Sequence, residues 1–282
     1  FAPAPWHDLV DPQSVKPPAR LETAGDEAAV HPMVAAALMT GIFTAPESDR
    51  EMRQLKATYH GMLAEVDHQF GRVLDRLDEQ SLTDDTVVIL TADHGEQMGD
   101  HWLTHKLGFY DASYHVPLIV SGPGVRNGAA GSSVDSFTES VDLMPTILAA
   151  AGAPIPNQCQ GADLGPFLRN ETPERWRTSV CFEFDFRTVG STDLEEMTGL
   201  KMSQCNLAVL RDAAGKYVSF AGMPPLFFDL AEDPDEFTNL ADDPDHAGRV
   251  LAYAQRLLAW RQSTDEETLA SMLVTPFGVL SR

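Results

Sequence analysis

The stretch TVVILTADHGEQMGDHWLTHK, Thr86 to Lys106, carries the reading of the whole chain. Its first six residues are β-branched or apolar on both faces, the composition of a buried strand in a parallel sheet. Asp93, His94, Glu96, Asp100, His101, His105 and Lys106 follow at once, in a segment broken by Gly95 and Gly99. The carboxyl end of a strand is where open α/β sheets hold their ligands. Adjacent residues in a regular strand face opposite ways. Asp93 and His94 therefore reach one cation together only if the chain leaves the strand there, which Gly95 permits. A carboxylate with an imidazole suits Mn2+, Zn2+ or Fe2+, and mostly carboxylate company shifts the choice to Ca2+ or Mg2+. The alternative is an Asp93 that caps the turn beside a His94 satisfied as an ordinary polar residue. Lys106 either holds the free oxygens of a phosphate- or sulfate-like group as a point charge or is a solvated surface lysine. His101 is placed to donate to a substrate oxygen or to a supporting carboxylate. His105 reads as structural or exposed, Glu96 and Asp100 as turn and support residues, and His115 as a hydrogen-bonded core histidine.

Working outward, Ser48 and Glu51 have the spacing of a capping box. Leu55, Tyr59, Met62, Val66, Phe70, Val73 and Leu77 then recur at helical steps, which predicts a long amphipathic helix with one buried face. HVPLIV, His115 to Val120, is a second buried parallel strand, ended by a turn at SGPG. VDLMPTILAAAG starts a helix near Asp142, with Pro145 in its first turn and Gly152 as its stop. Helix, strand, loop, strand, helix is an α/β layout. Residues 1 to 34, rich in Pro, Asp and Ala, read as an extended surface segment. After about residue 165 the texture changes. SVCFEF, NLAVLR, KYVSF and LFFDL predict a small antiparallel sheet, and a helix from about Asp245 to Gln262 follows with Val250, Tyr253, Leu257 and Trp260 on one face. The expected division is 1–165 for the main α/β part and 166–282 for a smaller α+β part. The apolar tail ETLASMLVTPFGVLSR is expected to pack on another subunit.

The 282 residues carry 20 basic and 42 acidic side chains, a net charge of −22. So acidic a surface repels nucleic acid and anionic lipid, which makes both poor partners. An anionic small substrate fits only where a metal or a lysine reverses the local field. No apolar stretch approaches the ~20 residues of a membrane helix. Cys159, Cys181 and Cys205 are odd in number and lack metal-ligand spacing, which points to a reducing, cytoplasmic compartment. The first residue is Phe1 and FAPAPWHDL is no signal peptide, so the chain is expected to be a piece of a longer protein.

TADHGEQMGDHWLTHK resembles the C-terminal metal loop of the sulfatases, within the alkaline phosphatase superfamily. ATYHGMLAEVDHQFGRVLDRLDEQSLTDDTVVILTADHG resembles that family's helix-strand lead-in, VDLMPTILAAAG the helix after its sheet, and LFFDLAEDPDEFTNLADDP its C-terminal signature. DHW, YHVPLIV and AVLRDAAGKYVSFAGMPPLFFDL are similar to the phosphonate monoester hydrolases, with arylsulfatase-like enzymes close by. The resemblance implies an alkaline-phosphatase-like sandwich, a mostly parallel sheet flanked by helices, with the small antiparallel sheet and helix appended. It implies a metal-dependent hydrolase of sulfate esters, phosphonate monoesters or phosphodiesters. Asp93 and His94 would ligate one divalent ion (Ca2+, Mn2+, Mg2+ or Zn2+), where many sulfatases have Asn in place of His94, and Lys106 would contact the anionic group of the ester and the nucleophile. The family's early acidic metal ligands, its leaving-group histidine and its Cys-x-Pro-x-Arg or Ser-x-Pro-x-Arg motif, whose Cys or Ser becomes formylglycine, have no match here. Ser121-Gly122-Pro123-Gly124-Val125-Arg126 comes nearest, with Arg one place late. The chain thus looks like a C-terminal half, inactive alone, with the formylglycine in the missing half. By analogy it would form a homotetramer. The alternatives are a non-catalytic remnant that serves assembly, and a phosphodiesterase of the same superfamily with a Ser or Thr nucleophile.

Overall fold

The computed structural model describes residues 2–39, 41, 43–126, 129–186, 193–264, 272–276 and 278–281. Helix α1 (Ala24–Val30) and helix α2 (Pro32–Met39) occupy the segment read as extended surface. That expectation is corrected. Thr23 and Asp26 form a reciprocal capping box, Pro32 sits where its missing N–H costs nothing, and Met33, Val34, Ala36 and Ala37 are buried. The Pro and Asp content that suggested a loop is the punctuation of two short helices.

Helix α3 runs from Asp49 to Glu79, with Ser48 Oγ accepting from Glu51 N at 3.4 Å. It spans about 46 Å at 1.5 Å per residue. Its buried residues are Met52, Ala57 and Gly61, all in the N-terminal half. Gly61 lies against the chain near Trp6, where a Cβ would fall 2.2 Å from the Trp6 carbonyl oxygen. Met62, Val66 and Val73 are 40%, 62% and 56% exposed. The predicted stripe exists, but in this chain it is buried at one end only, because none of the described residues covers the rest.

Strands β1 (Val88–Thr91) and β2 (Leu118–Ser121) pair antiparallel, with Val88 opposite Ser121 and Thr91 opposite Leu118. The parallel pairing expected from their composition is corrected. Parallel strands need a crossover that re-enters from the same end. Residues 92–117 instead double back, through the loop and one turn of helix at Asp111–Tyr114, and deliver β2 to the end where β1 stops. Neither strand is buried on both faces, and Ile119 is 58% exposed. Ser121 to Arg126, read as a turn, includes a single helical turn, Pro123–Arg126. His115 is exposed, not a core histidine.

Helix α4 (Leu143–Ala150) follows Asp142 as expected. It ends at Gly152, which takes the left-handed φ of +68°. Strands β3 (Ser179–Asp185), β4 (Asn206–Asp212), β5 (Gly215–Phe220) and β6 (Leu226–Asp229) form an antiparallel sheet in sequence order. Helix α5 (Ala247–Thr264) packs on it through Tyr253 and Leu257, with Val250 and Trp260 alongside. The tail contributes a hairpin, Met272–Thr275 with Gly278–Ser281. The larger apolar cluster joins α2, Leu103, Phe109 and Tyr110 to Leu207, Val209, Val218, Phe220, Leu226 and Phe228. The sheet thereby forms the floor under the loop that follows β1. The architecture is α/β: helices and a small antiparallel sheet around that loop. No described helix is long and apolar enough to cross a membrane, and Cys159, Cys181 and Cys205 form no disulfide among the described residues.

Candidate active-site loop

Past β1 the chain folds back on itself. Gly95 N donates to Ser113 O at 2.8 Å, Gln97 N to His105 O at 2.7 Å, and Gly99 N to Leu103 O at 2.8 Å. The last two bonds run the return limb beside the outgoing one and bring Lys106 level with Glu96, two residues past His94. Gly95 is required, although not for the conformational freedom that the sequence suggested, since its φ is not left-handed. A Cβ there would lie 2.0 Å from the Ala112 carbonyl oxygen, so no side chain fits. At the tip, Gly99, His101, Trp102 and His105 all take positive φ. Three of these are not glycine, a strain that persists only where surrounding contacts over-determine it.

Those contacts come from the segment taken for open surface, residues 1–34, and from Phe43 and Ala45 just beyond it. Ala19 N donates to Asp100 Oδ1 and His101 N to Ala19 O, both at 2.8 Å. Trp102 Nε1 donates to Leu21 O at 2.9 Å under the Arg20 guanidinium, which lies 3.7 Å from the ring centre. Thr104 N donates to Phe43 O at 2.6 Å and Ala45 N to Trp102 O at 2.8 Å.

Asp93 and His94 do face one another. Asp93 Oδ2 stands 3.4 Å from His94 Nε2, with the carboxylate 85% and the imidazole 34% exposed. His94 Nδ1 is 2.8 Å from the Gly95 carbonyl oxygen. A carbonyl only accepts, so Nδ1 carries the proton, and in the neutral ring Nε2 presents a lone pair toward the Asp93 carboxylate. In that neutral form the two electron-pair donors, held this close, fit a cation between them, and a carbonyl on the far nitrogen is the usual support for a ligating imidazole. Two such donors do not by themselves complete a coordination sphere. Among the described residues no group of three or more His, Cys, Asp or Glu side chains could hold a metal. Lys106 is exposed and makes no ion pair among the described residues. His105 is also exposed, its ring edge-on to Phe43 at 6.0 Å.

His101 is turned inward. It is 4% exposed, with Nδ1 2.6 Å from Glu27 Oε1 and its ring stacked 3.6 Å from Tyr110. Of the two roles read for it, the structure shows the contact with a supporting carboxylate and places no exposed face of it at the loop surface. Asp100 supports the tip through Ala19, as noted.

Sequence reasoning missed what lies behind the loop. Lys216, the second residue of β5, is fully buried. Its Nζ donates to Phe109 O at 3.0 Å and meets Asp111 Oδ1 and Glu236 Oε1, each at 2.5 Å. Arg211 binds the second oxygen of Asp111 at 3.0 Å. Burial opposes ionisation of Asp111, but the charges of Lys216 and Arg211 outweigh it and hold that carboxyl below its ordinary range. Burial pushes Glu236 up, with Lys216 offsetting only part of the effect. Tyr110, fully buried between Glu27 and Glu236, is driven well above the ordinary phenol value by burial first and those two charges second. The available signal was a lone lysine at the head of the otherwise strand-like KYVSF.

With this geometry in place, comparison with known proteins decides the family. Residues 20–153 match the Sulfatase family and residues 99–263 match the family described as N-sulphoglucosamine sulphohydrolase, C-terminal. The chain belongs to the sulfatase family. It is 41% identical, over its whole length, to the multifunctional alkaline phosphatase superfamily protein PehA of Trinickia caryophylli, of which it covers 56%. It is 34% identical to human arylsulfatase K over 70% of this chain and 34% of that protein. The solved phosphonate monoester hydrolase of Agrobacterium radiobacter superposes with a TM-score of 0.93 at 41% identity, over 99% of this chain and 57% of that one. This sulfatase-family chain thus matches between 34% and 57% of the length of these relatives.

Proposed function

We propose that the protein is a metal-dependent hydrolase of sulfate esters, phosphonate monoesters or phosphodiesters, and that this chain contributes one side of its active site. The observation that carries the reading is the facing pair of Asp93 Oδ2 and His94 Nε2, 3.4 Å apart on an exposed loop whose backbone is fixed from three directions. Asp93 and His94 would hold one divalent ion, which when bound supplies Lewis acidity toward the anionic ester. Lys106, a free ammonium on the return limb, would neutralise charge on the ester's non-bridging oxygens. The Glu27–His101–Tyr110 stack keeps the limb between them in place. The chain holds no Cys-x-Pro-x-Arg or Ser-x-Pro-x-Arg motif, so in this reading the nucleophile, a formylglycine by likeness to the family, is supplied by other polypeptide. An anionic small-molecule ester is the proposed partner, in the cytoplasm, with a homotetramer as the assembly. Loss of the residues after Thr264 should then reduce the mass seen by light scattering, and an unchanged mass would remove the tail from the argument.

The test of the site is metal content. Asp93→Asn and His94→Ala in the natural full-length polypeptide should lower bound divalent metal and cut turnover of an aryl sulfate and of a phenylphosphonate ester by at least about 100-fold, as loss of one charge-stabilising group does. Full metal occupancy and near-normal turnover in both variants would overturn the proposal.

A further inference from the structure

Beside the loop lies a groove of about 520 Å3 that the proposed chemistry does not use. One wall is the strap Val10–Lys16, the other is the second and third turns of α3, and the loop itself closes one end through Met98. Loop and helix meet directly there. A Cβ on Gly99 would fall 2.6 Å from Met52 Sδ, and Arg53 Nη1 donates to the Val15 carbonyl at 3.3 Å. Tyr59 lines the groove close enough to Glu96 for that carboxylate to add to the burial that raises the phenol's pKa.

The charge of the lining is unlike that of the chain. The protein has only five lysines against 42 acidic residues. Two of the five, Lys16 and Lys56, line this groove with His60, Ser14 and Tyr59, and no carboxylate is among the lining residues. Neither lysine makes an ion pair among the described residues. A third lysine, Lys106, is on the adjoining loop. Unpaired ammonium groups gathered in one concavity of a strongly acidic surface create a local positive field that concentrates anions. The volume is that of a small-molecule site.

We propose that this groove is a subsite for a second anionic group of the substrate, so that the protein acts on esters carrying a negative charge in addition to the sulfate or phosphonate that reacts. Lys16 and Lys56 are its specificity-determining residues, Ser14 and His60 supply further donors, and Tyr59 with Met98 packs against the connecting skeleton. The inference rests on the reading of Asp93, His94 and Lys106 as the reaction site.

Binding and turnover are measured separately on the natural full-length polypeptide. Calorimetric titration uses benzene-1,3-disulfonate and benzenesulfonate, neither of which can be hydrolysed. The wild type should bind the disulfonate more tightly. Lys16→Met and Lys56→Met should each weaken that binding about 3- to 5-fold, the range of an exposed ion pair, and added salt should weaken it further. The double variant should lose the preference, keep its kcat on 4-nitrophenyl sulfate, and show a raised KM only for an aryl sulfate bearing a second sulfonate. Equal affinity of the wild type for the two probes, or a preference that survives the double substitution, overturns the subsite. A preserved preference in a wild type that turns over neither ester refutes the catalytic reading and, with it, the assignment of the groove to a substrate.

Discussion

Replacing Lys216 with Met should be the most damaging single change behind the loop, and its cost should depend on pH. The lysine has no exposed surface and sits between Asp111 and Glu236 at 2.5 Å from each. Asp111 keeps Arg211 at 3.0 Å. Glu236, 4% exposed, faces Asp111 and Tyr110 and keeps only the Asp111 backbone N–H at 3.2 Å. Removing one partner of a buried ion pair costs about 3–5 kcal/mol, because the other charge is left without compensation. Glu236 has an escape, since burial already raises its carboxyl above the ordinary glutamate range in the wild type. Without the lysine that pKa rises further. A carboxyl whose folded pKa is raised binds more protons folded than unfolded, so its contribution is present at low pH and lost as pH climbs through the raised value. The penalty of Lys216→Met should therefore shrink on acidification, by about 1.4 kcal/mol per pH unit between the wild-type and variant values of Glu236. Urea denaturation of both proteins between about pH 5 and pH 8 reads this directly. Lys216→Met with Glu236→Gln should recover much of the loss, because it removes the stranded charge. A penalty below about 1 kcal/mol, well short of a broken buried pair, or one that does not change with pH, would refute the account of this network.

Gly95→Ala should destabilise by about 1–3 kcal/mol through overpacking, since the added methyl meets the Ala112 carbonyl at 2.0 Å, and a melting temperature within error of the wild type would contradict the close approach. Glu27→Ala leaves His101 buried without its partner at 2.6 Å and should cost about 1–3 kcal/mol, with faster amide exchange at residues 99–103. Asp93→Asn and His94→Ala should lower metal content with little change in the melting temperature of the apo protein, because Asp93 is 85% exposed. Val66→Glu, at a position 62% exposed, should shift the stability of this chain alone by no more than about 0.5 kcal/mol, and a larger loss would show a packed α3 stripe.

Much of the fold was written locally. Residue period gave α3, α4 and α5 within two residues, because one apolar stripe per helical turn is a property of the chain itself. The four C-terminal strands were legible for the same reason, each being a short β-branched or aromatic run between turns. The loop stood out in the sequence because Asp93, His94, Gly95 and Lys106 all lie in the segment directly after a strand, and the Sulfatase family match over residues 20–153 covers them.

What the sequence left open depends on partners distant in the chain. Composition could not set the direction of β2, because that follows from how residues 92–117 return. Nor could it show that residues 19–45 clamp the loop, since Ala19, Leu21 and Phe43 meet it through backbone groups, chiefly accepting carbonyls, that do not depend on residue type. Lys216, Asp111 and Glu236 lie more than a hundred residues apart in part, and only the packed core brings an ammonium into contact with both carboxylates. The sequence determined most of the elements and which titratable groups stand together after β1, since periodicity and residue type act over a few positions. Tertiary structure alone decided which groups meet, since contact between distant residues depends on the path of the whole backbone.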